Sequence, residues 1–98
     1  LYPFEETVAR PGCTLEEAME NIDIGGPSML RSAAKNCESI YVVSSPTQYE
    51  ETLGRLRADD GFIDPDYGRC LAVDVYSLTS RYDEAVSSYL GAHISHKE

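Results

Sequence analysis

Apolar residues recur at helical spacing in the first half of the chain and predict two short helices there. The first is predicted over residues 14–21, because Thr14 and Glu17 form a capping box. Its apolar face comprises Leu15, Ala18, Met19 and Ile22. The second is predicted to start at Pro27, and its buried stripe comprises Leu30, Ala33, Ala34 and Cys37.

The second half of the chain predicts two further helices. Ser45, Pro46 and Gln48 open the third, whose core stripe comprises Tyr49, Leu53 and Leu56. Asp64 and Pro65 open the last and longest one. Its stripe comprises Leu71, Val75, Leu78, Tyr82, Val86 and Tyr89, and its length leaves open a kink or a break near residues 79–80.

Residues 40–43 are apolar at four consecutive positions, which predicts a strand covered on both faces, as in a parallel sheet. Such a strand needs neighbouring strands to pair its backbone groups, and the sequence offers only a possible strand end at Leu1 and Tyr2. The pattern therefore predicts an α/β domain, of which this chain holds only the helix-rich C-terminal half.

Composition and charge narrow the class of protein. The chain has 98 residues, of which 42% are hydrophobic and 26% charged, as in one small globular domain. Its net charge of −9 argues against binding to nucleic acid or to anionic membranes, and no apolar run approaches the ~20 residues of a membrane span. Three cysteines without metal-ligand spacing indicate a reduced, intracellular compartment and no metal site.

The stretch NIDIGGPSMLRSAAKN, residues 21–36, holds the densest candidate chemistry. It places Asp23 in a loop, follows it with Gly25 and Gly26, and then starts a helix that carries Lys35. An acid, a backbone that can approach a ligand, an electropositive helix start and an amine together suggest a site for an anionic or polar small molecule.

Each candidate residue also has a structural interpretation. Three interpretations of Asp23 stay open: a general base, an orienting hydrogen-bond acceptor, and the cap of the following helix. For Lys35 the structural interpretation is a solvated helix lysine, and the functional one is an amine that stabilises an oxyanion or transfers a proton. Tyr2 precedes Pro3 at the end of a predicted strand, where ligands bind in open sheets. It is an aromatic packed at the sheet edge or a hydrogen-bond donor to developing charge.

The sequence resembles a known family. Residues 1–36, from LYPF to NIDIGGPSMLRSAAKN, closely resemble the cyclohydrolase domain of the AICAR transformylase/IMP cyclohydrolase family. The likeness continues more loosely through residues 40–43 and from the Arg-Tyr-Asp motif at 81–83 to Leu90. It implies a methylglyoxal-synthase-like fold, in which helices sandwich a parallel sheet.

The resemblance also implies an activity, namely closure of the formylated aminoimidazole carboxamide ribonucleotide to inosine monophosphate with loss of water. Catalytic roles then fall on Tyr2, Asp23 and Lys35, and the backbone of Asp23, Ile24 and Gly25 lines the nucleotide base. No metal or organic cofactor is implied for this reaction. A purine nucleotide substrate, a homodimeric parent and a cytoplasmic location are implied as well.

The same resemblance implies that the chain is part of a longer protein. Residues 1–90 correspond to the C-terminal part of the cyclohydrolase domain, and residues 91–98 to a tail or linker towards a transformylase domain that uses 10-formyltetrahydrofolate as cosubstrate. The family's phosphate-binding turns and its Lys-Thr-Leu-His-Pro-Lys motif have no counterpart in this sequence. The alternative is a catalytically silent nucleotide-binding or regulatory module, or a non-functional fragment.

Overall fold

The computed structural model describes residues 1 and 3–94, and within them the chain is helical. The α-helices are α1 (Phe4–Val8), α2 (Leu15–Glu20), α3 (Gly25–Lys35), α4 (Tyr49–Ala58) and α5 (Pro65–Ala92), with a 3₁₀ turn at Pro46–Gln48 before α4. No β-strand occurs in these residues. The helix-rich character is therefore confirmed, while the predicted parallel sheet is not seen in the described residues.

The long helix α5 organises the fold. With 28 residues it is about 42 Å long, and two separate apolar clusters lie along it. One joins α3 and residues 41–42 to the first half of α5, and its buried members are Ala34, Val42, Tyr67, Leu71, Ala72 and Val75. The other joins α1 and α2 to the second half, around buried Phe4, Ala18 and Tyr82.

This arrangement makes the chain elongated. The radius of gyration is 17.3 Å, against about 13 Å for a compact domain of 100 residues. Several large apolar side chains stay exposed as a result, among them Ile24 and Met29, each 74% exposed. Two small clusters on one helix thus bury less apolar surface than one closed core would.

Most of the predicted helix starts are confirmed by their capping contacts. The Thr14 hydroxyl accepts a hydrogen bond from the Glu17 amide at 3.1 Å, and Asp64 Oδ1 accepts one from the Asp66 amide at 3.0 Å. The start of α3 was predicted wrongly, since this helix begins at Gly25 and not at Pro27. Local capping chemistry therefore fixes these boundaries to within about a turn.

The strand predicted at residues 40–43 is wrong for the described chain. Val42 is buried in the cluster between α3 and α5, and the Tyr41 ring packs edge-on against Tyr67, with 5.0 Å between centroids. The Tyr41 hydroxyl accepts a hydrogen bond from the Asp64 amide at 2.7 Å. Because no second strand is available within the described residues, Tyr41 and Val42 pack on helices instead, while Ile40 stays exposed.

The apolar stripes of α2 and α4 were predicted only in part. Leu15 and Met19 on α2 are 43% and 49% exposed, while Tyr49 and Leu53 on α4 are 54% and 50% exposed. The buried residue of α4 is Thr52, whose hydroxyl lies 2.7 Å from the Tyr67 hydroxyl. These helices meet α5 through a narrow contact, so much of the apolar face that their sequences define remains in solvent.

The stripes of α3 and α5 are confirmed more fully. Ala34 is buried, and Leu30, Ala33 and Cys37 pack against the same cluster. On α5 the buried positions include Leu71, Val75 and Tyr82. The helix runs through residues 79–80 without a break, so the division left open by the sequence does not occur.

The loop after α3 meets the start of α5 at a close contact. A Cβ atom on Gly68 would collide with the carbonyl oxygen of Cys37, so only glycine fits there. Beside it, an ion pair joins Arg69 to Glu38 at 2.7 Å. The hydrogen bond that the Arg69 guanidinium donates to Glu38 raises the pKa of Arg69 above its usual value, although a pair this exposed contributes little to stability.

Candidate functional site

Asp23 lies in the turn between α2 and α3 and is half-buried. Its carboxylate accepts a hydrogen bond through Oδ1 from the Gly26 amide at 2.8 Å. Its own amide donates to the hydroxyl of Tyr82 at 2.7 Å. Backbone and side chain of Asp23 are thus each held by a short contact, one local and one from a distant part of the chain.

Gly26 is required for this geometry. A Cβ atom at position 26 would lie 3.0 Å from Cγ of Asp23 and closer still to its Oδ2. The carboxylate can therefore rest against the first turn of α3 only because residue 26 has no side chain. At Gly25 the space that a Cβ would enter is open, with nothing within 4 Å.

The contact with Gly26 satisfies one amide in the first turn of α3, as a capping side chain does, although the N-cap residue of this helix is Ile24. This contact supports the structural interpretation of Asp23. A structural role at the start of α3 is compatible with a chemical role for Asp23, because a carboxylate has about four acceptor positions on two oxygens. The first turn of α3 also carries amides that point outward and a partial positive charge. The turn around Asp23, Ile24 and Gly25 therefore combines a fixed carboxylate with an anion-favouring helix start.

Lys35 lies at the other end of the same helix. It is the last residue of α3 and is exposed, ten residues after Gly25 and thus about 15 Å further along the axis. In the described part of the chain Lys35 makes no ion pair. A stretch that is continuous in sequence therefore places its acid and its amine at opposite ends of one helix, and this segment alone does not bring them together.

Tyr2 lies outside the described residues, but the helix that follows it is well anchored. Phe4 is 2% exposed, and its ring packs edge-on against Tyr82 at 6.2 Å and Tyr89 at 5.7 Å between centroids. The Tyr82 side chain thus contacts both the N-terminal helix and the turn that holds Asp23. The sequence placed Tyr82 in the core stripe but did not predict its contact with the turn that holds Asp23. The signal that could have indicated this contact is the position of Tyr82 in the Arg-Tyr-Asp motif.

A cleft of about 410 Å³ runs between the N-terminal residues and α5, with Phe4, Leu78, Arg81 and Tyr82 in its walls. Neither Asp23 nor Lys35 lines it.

Among the described residues no cluster of three or more acids, histidines or cysteines could hold a metal ion, and none of the helices is both long and apolar enough to cross a membrane.

Known relatives define the class of protein. The chain is similar to curated enzymes of purine biosynthesis, each named bifunctional purine biosynthesis protein PurH. It is 60% identical to the one from Magnetococcus marinus, with 94% of this chain and 17% of the relative aligned. It is 54% identical to one from Chlorobium phaeobacteroides, covering 94% and 18%, and 52% identical to one from Chlorobium chlorochromatii, covering 100% and 19%.

A model of the AICARFT/IMPCHase bienzyme family matches residues 33–98. The chain belongs to this family, and the resemblance drawn from its motifs is confirmed. It spans less than a fifth of the length of the curated relatives that it matches.

Proposed function

We propose that this chain is part of an IMP cyclohydrolase, which closes the formylated aminoimidazole carboxamide ribonucleotide to inosine monophosphate with loss of water. The parent protein, meaning the full-length family member that contains this segment, also carries AICAR formyltransferase activity. One observation supports the proposal most: in a chain of this family, the Asp23 carboxylate is fixed at the N-terminus of α3 by the Gly26 amide and through its own amide by Tyr82.

The proposed chemistry is an intramolecular addition. The carboxamide nitrogen of the substrate attacks its own formyl carbon, a C–N bond forms, and the formyl oxygen later leaves as water. Since both reacting groups belong to one molecule, the enzyme mainly holds the reactive rotamer and transfers protons. Asp23 orients the carboxamide or accepts its proton. The open space at Gly25 is where the nucleotide base approaches the backbone of residues 23–25.

Tyr2 and Lys35 are proposed to stabilise the oxygen that becomes water. Because Lys35 lies at the far end of α3 from Asp23, the proposal requires the long Lys35 side chain to extend back along the helix towards the reacting groups, the direction in which side chains of an α-helix lean. The cyclohydrolase reaction is proposed to need no cofactor, and 10-formyltetrahydrofolate serves the transformylase domain of the parent.

The remaining architecture is also proposed. A methylglyoxal-synthase-like sheet, contributed by the rest of the cyclohydrolase domain, covers apolar side chains that are exposed in this chain, such as Ile24 and Met29. The domain extends to about residue 90, and the residues after it lead to the transformylase domain. The parent is proposed to be a cytoplasmic homodimer.

The competing function is a catalytically silent nucleotide-binding or regulatory module, or a fragment without function. Purified parent protein, incubated with the formylated ribonucleotide, separates the two. Formation of inosine monophosphate well above the uncatalysed rate supports the cyclohydrolase. Nucleotide binding without turnover supports the silent module.

The isolated 98-residue chain is expected to show no cyclohydrolase turnover. Its two apolar clusters are small, and the phosphate-binding turns of the family are missing from its sequence. We expect a helical far-ultraviolet circular dichroism signal with weak near-ultraviolet signal, as in loosely packed states. Measurable turnover by this chain would show that the site is complete without the rest of the domain.

Lys35→Met in the parent tests whether this amine faces the site. A solvated lysine replaced by methionine should change stability by under ~0.5 kcal/mol and leave turnover intact. A lysine that supports developing negative charge should cost roughly 100-fold in kcat, ~2.7 kcal/mol, and this is the result we expect.

Arg31→Met, one turn earlier on α3, is the matched control. The Arg31 guanidinium lies over the Tyr76 ring at 5.5 Å, so this substitution removes a cation from the same helix without touching the proposed chemistry. It should have the smaller effect on kcat. Equal and mild losses for both variants would remove Lys35 from the mechanism.

A further inference from the structure

Tyr82 connects the long helix to the turn that carries Asp23, 59 residues away in sequence. Its side chain is buried, with 9% exposed. The hydroxyl accepts a hydrogen bond from the Asp23 amide at 2.7 Å, and it donates to the carbonyl of Asn21 in a longer contact of 3.5 Å. One phenol thus uses both its acceptor and its donor on the two sides of one turn.

These contacts restrict the conformation of Asp23 from both directions. The amide of Asp23 is tied to α5 through Tyr82, and its carboxylate is tied to α3 through the Gly26 amide. Fixing the peptide plane and Oδ1 together leaves the carboxylate little freedom to rotate. A displacement of about 1 Å at a reacting group can cost 100-fold in rate, so this restraint matters for a proton acceptor more than for a helix cap.

The ring of Tyr82 has a separate role from its hydroxyl. The ring packs against Phe4 in the cluster of α1, α2 and α5, and this packing survives loss of the oxygen. Removing only the hydroxyl leaves the part-buried amide of Asp23 without the acceptor it has in this structure. The expected result is a turn that shifts while the helices stay packed.

We propose that Tyr82 is a positioning residue for Asp23 in the cyclohydrolase reaction, an inference that rests on the function proposed above. Tyr82 acts through the backbone of Asp23 and does not contact substrate. Its position on α5 lets packing of this helix against α1 and α2 determine the direction of the carboxylate.

The first test is Tyr82→Phe in the parent protein, with cyclohydrolase kcat and KM measured separately. We expect kcat to fall roughly 10- to 100-fold and KM to stay within about threefold, because substrate binding does not depend on this hydroxyl. The AICAR formyltransferase activity of the same preparation, together with its melting temperature, should stay near the unsubstituted values. Parallel loss of both activities and of the melting temperature would reduce Tyr82 to a structural role and overturn the inference.

Tyr89→Phe is the matched control. Tyr89 lies on the same helix and packs on the same Phe4 ring, and within residues 1 and 3–94 its hydroxyl makes no hydrogen bond. This variant should keep unsubstituted kcat and KM. An equal loss of kcat in Tyr89→Phe would mean that removing a hydroxyl from this cluster lowers turnover whether or not that hydroxyl binds Asp23, and it would overturn the positioning role.

The second test asks whether Tyr82 acts through Asp23. Residual turnover of Asp23→Asn, followed with enzyme in excess over substrate, should be unchanged when Tyr82→Phe is added, since a positioning residue has nothing left to position. A further loss of the same size as in the single variant would mean that Tyr82 acts elsewhere, contrary to the inference.

The outcomes also separate this inference from the function on which it rests. Near-normal turnover by Asp23→Asn would remove Asp23 from the mechanism, and Tyr82 with it. A large loss in Asp23→Asn combined with normal turnover in Tyr82→Phe would leave the cyclohydrolase proposal intact and overturn only the positioning role.

Discussion

Asp23→Asn in the parent protein is expected to remove most cyclohydrolase turnover while nucleotide affinity stays within about tenfold, ~1.4 kcal/mol. The amide has the size of the carboxylate, and its oxygen can still accept the hydrogen bond that the Gly26 amide now gives to Oδ1. The start of α3 should therefore survive. What the amide loses is the ability to accept a proton from the substrate nitrogen. Steady-state kcat and the equilibrium affinity for inosine monophosphate check both halves of the prediction.

Asp64→Asn provides the control for this substitution. Asp64 accepts a hydrogen bond from the Asp66 amide in the first turn of α5, as Asp23 accepts one from the Gly26 amide in the first turn of α3, but it lies in a different loop. If the effect at position 23 came from capping alone, both variants should lose stability to a similar small degree and keep turnover. Near-normal kcat in Asp23→Asn would establish Asp23 as a cap only.

Gly68→Ala is expected to lower the free energy of unfolding of the parent protein by about 2–3 kcal/mol. The added Cβ would meet the backbone carbonyl oxygen of Cys37, and a backbone atom cannot move aside as the end of a flexible side chain can. The contact between the loop after α3 and the first turns of α5 would have to open. Urea unfolding of the parent should show a lower midpoint.

Gly54→Ala is the opposite case in the same chain. Gly54 lies inside α4, and a Cβ there would have nothing within 4 Å. Alanine has a helix propensity better than that of glycine by up to ~1 kcal/mol, so this variant should raise the midpoint or leave it unchanged. A stable Gly68→Ala variant would mean that α3 and α5 can separate at this point without cost.

Several features of this protein were determined by its sequence alone. Thr14 with Glu17, and Asp64 with Pro65, gave helix starts that the structure confirms, because a cap involves only residues within one turn. The spacing of Ala34 with its neighbours gave the buried face of α3. The motif at residues 21–36 gave the family. Each of these signals is complete within a short stretch of chain.

Other features depended on tertiary contacts. Residues 40–43 were predicted as a strand, but an extended segment becomes a strand only when another strand pairs with it. Tyr49 and Leu53 remain exposed because α4 packs against α5 with the face that carries Thr52, whose hydroxyl contacts that of Tyr67. Local periodicity states which face is apolar, and the partner helix decides whether that face is covered.

The candidate site shows the same division. The sequence identified Asp23, Gly25 and Lys35 as chemically able residues in one stretch and predicted a helix between the acid and the amine, although that helix begins at Gly25 and not at Pro27. It could not show that Tyr82, 59 residues away, holds the Asp23 amide. Residue types and their local order are written in the chain. Distances between them follow from how the helices pack, because a hydrogen bond across 59 residues exists only once α5 lies against the turn.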